Sequence, residues 1–137
     1  MNTSGYLALV AICSLAIAAN APAADIWVFT DHQHPVVAGA GVRVIELDAP
    51  GRLASELGAN LPADPRKAAA LFQQRLATVG AELRQRLITA YQGITDAWSL
   101  GITKIPAVVV DQKFVIYGEP DVERAVAQIE RYRSAQK

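Results

Sequence analysis

The sequence predicts an α/β domain with a mixed central sheet of about four strands and helices on its faces. Three observations lead there. Two apolar, β-branched runs, Asp25 to Thr30 and Lys104 to Val110, read as buried strands. Between them, apolar residues recur in steps of three and four from Leu71 to Trp98, the signature of an amphipathic helix. Finally, a helical crossover separates the early strands from a late hairpin, which is the order of a mixed sheet.

Taken in order, Asp25-Ile26-Trp27-Val28-Phe29-Thr30 is apolar nearly throughout and predicts a central strand covered on both faces. Asp31 to Gly41 contains both histidines, a proline and two glycines, and reads as loop. Val42 to Leu47 predicts a second strand, ended by Asp48-Ala49-Pro50-Gly51. Arg52 to Leu57 reads as a short helix with Gly58 at its C-terminal end. Asp64 and Pro65 give the next helix an N-cap and a first residue. Gly80 and Gly93 divide that stretch, so the pattern allows one helix or two end to end. Asp111-Gln112 joins the strand at 104–110 to Lys113-Phe114-Val115-Ile116-Tyr117 in a hairpin. Asp121 caps a last helix from Val122 to about Arg133.

Composition narrows the function classes. The chain has 137 residues, with 13 basic against 13 acidic side chains. That balance argues against a phosphate-driven nucleic-acid binder, which is normally basic. Leu7 to Ala18 is an apolar run too short to span a bilayer, and Ala21-Pro22-Ala23 fits a small-residue cleavage site. Residues 1–23 therefore read as a secretory signal peptide, and 24–137 as one periplasmic domain with no membrane span after cleavage. The single cysteine, Cys13, falls inside the leader. The mature domain then holds no thiol for disulfides, exchange chemistry or metal binding.

At Ile105-Pro106-Ala107-Val108-Val109-Val110-Asp111 the chain resembles the C-terminal half of a thioredoxin-like fold. That resemblance implies a cis Pro106 with Ile105 exposed beside it. The strand ending Val28-Phe29-Thr30-Asp31, then His34-Pro35-Val36, Lys104 to Val109 and Val115-Ile116-Tyr117-Gly118 extends the likeness over the whole mature chain. In that order the motifs resemble a family of small proteins encoded in integrating conjugative elements. More loosely they are similar to pilin-assembly proteins of F-type conjugation systems. The resemblance implies a role in type IV secretion and conjugation, with other conjugation proteins as partners. The oxidoreductases of this fold carry Cys-X-X-Cys after the first strand, where this chain has Asp31-His32-Gln33-His34-Pro35-Val36. Thiol redox catalysis is excluded by chemistry.

The candidate partner-binding residues are Ile105, Pro106, Asp31, His32, His34 and Pro35. In redox relatives the backbone before the proline pairs with an extended peptide, and the same geometry without cysteines leaves a docking groove. The alternative is that the proline only sets the fold. His32 and His34, two apart with Asp31 adjacent, suggest a metal-binding loop as a rival reading. A catalytic zinc site takes three protein ligands, and a lone His-X-His in a loop is more often a cap or hydrogen-bonding pair. Ser55 and Ser99 lie in no G-x-S-x-G elbow. Trp27, Phe29, Tyr91 and Trp98 read as core. Arg66, Arg75, Arg84 and Arg86, accompanied by acidic residues, read as a solvated helix face. The sequence thus predicts a non-enzymatic, cofactor-free docking or assembly factor. A metal-binding protein and a purely structural subunit are the alternatives.

Overall fold

The computed structural model describes residues 23–136. The expected leader, but for Ala23, lies outside the described residues, as does Cys13. The described chain is a mixed α/β domain. Its strands are β1 (Ile26–Thr30), β2 (Val42–Glu46), β3 (Ala107–Val110) and β4 (Phe114–Tyr117). Its helices are α1 (Ala49–Gly58), α2 (Pro65–Ser99) and α3 (Val122–Ala135). The strands form one sheet in the order β2-β1-β3-β4. β1 runs parallel to β2 and antiparallel to β3, and β3 pairs antiparallel with β4. This order and the directions are compatible with the thioredoxin-like expectation. The connection from β1 to β2 carries no helix, only the loop 31–41.

Alternation along the central strands builds two apolar layers. Phe29, Ile45, Ala107 and Val109 meet Ala97 near the C-terminal end of α2. Val28 and Val108 meet Val122 and Ala125 of α3 on the other face. β1 and β3 are covered on both sides, which is why their sequences lack polar alternation. Each fully buried apolar side chain contributes about 1.5–3 kcal/mol relative to exposure.

The helix starts follow the sequence signals. The Asp64 carboxylate accepts from the N–H groups of Arg66 and Lys67, at 2.8 and 3.3 Å. Asp121 accepts from Arg124 N–H at 3.1 Å. α1 begins earlier than expected: Ala49-Pro50-Gly51 is helical, with Pro50 in the first turn where its missing N–H costs nothing. α2 is one unbroken helix through Gly80 and Gly93. The hairpin turn holds Asp111 and Gln112 both left-handed, each at φ 52°, the twist a two-residue connection requires.

Candidate functional site

The β1–β3 ladder pairs Phe29 with Ala107. Continuing that antiparallel register sets Thr30 beside Pro106 and Asp31 beside Ile105. The two segments singled out in the sequence therefore meet at one end of the sheet. Their separation of some seventy positions along the chain is closed by the pairing of the two central strands alone.

The loop half of this site is organised by one carboxylate. Asp31 Oδ1 accepts from the N–H groups of Gln33 and His34, both at 2.9 Å, and lies 2.6 Å from His34 Nδ1. Asp31 is the residue type that builds such turns, because its short side chain reaches the backbone two and three positions on. The His34 hydrogen bond is the largest influence holding the Asp31 carboxyl below its ordinary 3.8, and the two backbone N–H groups add to it. Thr30 Oγ1 donates to the His34 carbonyl oxygen, closing the loop onto the end of β1. His32 is exposed, and its N–H donates to Asp48 Oδ1 at 3.3 Å, which fastens the loop to the start of α1. Pro35 is exposed beyond it. Farther along, Val37 bridges to the α3 start: its N–H donates to Pro120 O, and its carbonyl accepts from Val122 N–H.

The strand half is Ile105-Pro106, whose peptide bond is cis. The Pro106 carbonyl accepts from Gly118 N–H at 2.8 Å, extending the β3–β4 ladder by one rung. Ile105 is half-buried and packs against the Phe29 layer, whereas the resemblance implied an exposed side chain. Its backbone is another matter: among the described residues no hydrogen bond engages the Ile105 N–H or C=O. An unpaired main-chain donor and acceptor at a sheet end is the chemistry that accepts an extended peptide.

Other sequence candidates are not assembled. Among the described residues no three of His, Cys, Asp and Glu are grouped to hold a metal ion. The one ring nitrogen of His34 beside Asp31 serves the loop hydrogen bond. Ser55 Oγ and Ser99 Oγ donate to the carbonyls of Gly51 and Thr95, each one turn back at 2.9 Å. Trp27 is half-buried, with its indole N–H donating to Asp25 at 2.6 Å and Arg43 stacked 4.5 Å from its ring centre. Trp98 and Tyr91, expected in the core, are 84% and 59% exposed. Arg75, expected on a solvated face, donates instead to the carbonyls of Leu57 and Ala59. The sequence reading missed Thr30 and Asp48. Thr30 is polar and 2% exposed inside an otherwise apolar strand, which is the signal that it has a hydrogen-bond task.

Residues 23–135 fit the model of a family described as a protein of unknown function, DUF1525. This span covers most of the chain, so the chain belongs to that family. No curated protein and no solved structure matches.

Proposed function

We propose that this member of the DUF1525 family is a non-catalytic periplasmic component of a conjugative transfer, or type IV secretion, system of an integrating element. In this reading it docks or helps assemble another protein of that system. The sheet end formed by Ile105, Pro106 and the Asp31–Pro35 loop is the contact. The observation that carries the reading is the unpaired N–H and C=O of Ile105 beside a loop held rigid by Asp31. An incoming extended segment would supply the missing partners, and His32 and Pro35, both exposed, would border it. The conjugative setting is supported by the motif order from Val28 through Gly118, and the periplasmic setting by the apolar leader and its Ala21-Pro22-Ala23 site. The absence of any thiol after Cys13 supports docking over exchange chemistry.

The test is Ile105→Arg in the full chain, expressed in cells carrying such an element. The expected result is loss of co-purification with identified secretion or pilus components, a drop in transfer frequency, and unchanged periplasmic yield of the folded domain. Unchanged co-purification and transfer would overturn the reading. So would recovery of the chain in the cytoplasm with its leader intact.

A further inference from the structure

The sheet leaves further backbone hydrogen bonds open on the far side of β1 from Ile105. β2 is an edge strand. The parallel register pairs Thr30 with Glu46, and Leu47 N–H donates to Thr30 O at 2.8 Å. In a parallel ladder each residue directs its N–H and C=O to the same side, and successive residues alternate. Arg43, Ile45 and Leu47 therefore bond to β1, and Val42, Val44 and Glu46 direct theirs outward. Among the described residues nothing accepts from or donates to those three backbones.

Edges of this kind are usually blunted by charged side chains, proline or a bulge. On the other edge strand, β4, Lys113 and Arg133 stack on Phe114, at 5.6 and 5.3 Å from its ring centre. β2 carries two charges of its own. Its Arg43 is drawn back over Trp27 and onto Asp96 at 3.0 Å, and its Glu46 is held by Arg52. Both charges of the strand are thus engaged within the domain, and Val44 stands 44% exposed at the centre of the free edge.

Beside this edge runs a groove of about 700 Å³, with Val44 and Glu46 on one side and Leu53, Glu56, Arg86 and Ala90 on the other. The far wall is α1 and the middle of α2. We propose that an extended segment of a partner protein adds to β2 as a fifth strand, lying in this groove. The wall decides against a second copy. A two-fold pairing of β2 with β2 would bring the copy's own α1 and α2 to the same face of the joined sheet, into the space this wall bounds. The groove's charges are matched internally, Arg86 with Glu56 and Arg52 with Glu46 and Asp48. Partner positions facing the helices are therefore small and uncharged, and alternate with positions facing solvent.

The test uses the full chain and millimolar heptapeptides alternating valine or alanine with threonine, read by backbone amide exchange. The expected result is protection of the Val42, Val44 and Glu46 amides by about tenfold or more, with none from a peptide N-methylated at alternate residues. Val44→Pro, which removes an N–H the sheet does not use, should abolish the protection; the N-methylated peptide gives the same information without altering the fold. Unchanged exchange at these three amides would overturn the proposal. Protection without peptide in a dimer, or protection appearing at Ile105 and not at β2, would overturn it as well. Ile105→Arg should leave the β2 protection intact, so failure here is separable from failure of the docking site at Ile105.

Discussion

A Cβ placed on Gly93 would lie 2.5 Å from Cγ2 of Ile45. The long helix α2 reaches the sheet at a position where it has no side chain, and the closeness of that approach sets the Phe29 layer. Gly80, in the same helix, faces open space, with nothing within 4 Å of an added Cβ. Alanine at the two positions should therefore act with opposite sign. At Gly80 it should stabilise by about 0.5–1 kcal/mol through helix propensity. At Gly93 the same gain is outweighed by overpacking against a buried branched residue, which costs about 1–3 kcal/mol. Denaturant midpoints of the two variants check this, and equal shifts of the same sign would refute it.

Trp98 and Phe29 should behave as differently as their surroundings. Phe29 is fully buried between β2, β3 and α2, so Phe29→Ala should cost about 3–5 kcal/mol. Trp98 is 84% exposed, so Trp98→Ala should change stability by no more than about 0.5 kcal/mol. Iodide quenching gives an independent reading. Most of the quenchable indole emission should vanish with Trp98, and the remaining Trp27 emission should be more protected under its Arg43 stack.

These contrasts show where the sequence was legible. Strands β1 and β3 were readable because burial on both faces leaves no polar alternation to confuse the pattern. The starts of α2 and α3 were readable because Asp64 and Asp121 are local signals acting on N–H groups two and three residues on. Trp98 and Tyr91 were misread because periodicity reports an apolar stripe, not whether anything covers it. A helix of 35 residues is about 50 Å long, and this sheet meets only its C-terminal part. Gly93 left one helix or two open because its compensation, the approach to Ile45, lies 48 positions away and is invisible locally. At the site, Ile105-Pro106 was legible as a motif, whereas Asp48 and the open edge of β2 are defined only by the assembled sheet.

Asp31 gives a pH prediction with a definite sign. Its carboxyl is held below the ordinary 3.8, first by the His34 hydrogen bond and then by two N–H groups. A carboxylate with a lowered folded-state pKa contributes stability that is present above its unfolded value and is lost as pH falls through the folded one. The wild-type loop should therefore loosen on acidification below the ordinary carboxylate range. Asp31→Asn keeps an oxygen to accept the Gln33 and His34 N–H bonds but does not titrate. In that variant the loss of amide protection at Gln33 and His34 as pH falls below the ordinary carboxyl value of 3.8 should be smaller than in the wild type. An identical pH response in both proteins would show that the loop does not depend on the ionised carboxylate.

Arg75 should prove structural where its neighbours are not. Its Nη1 lies 2.8 Å from Leu57 O and 2.6 Å from Ala59 O, the carbonyls left open where α1 ends and Asn60 turns left-handed at φ 53°. One guanidinium thus closes the C-terminal end of α1 and ties it to α2 at the same time. Arg75→Ala leaves both carbonyls without this donor and loosens α1, which packs against α2. The expected cost is about 1–2 kcal/mol, the lower part of the range for hydrogen bonds to charged groups because the site is half-exposed. Arg75→Lys should restore part of it, since a single ammonium reaches the carbonyls without the planar fork. Arg84 makes no hydrogen bond or ion pair among the described residues, and Arg84→Ala should be near neutral. Chemical denaturation of the three variants decides the matter: equal effects of Arg75→Ala and Arg84→Ala would return Arg75 to the solvated face that its spacing along the helix suggests.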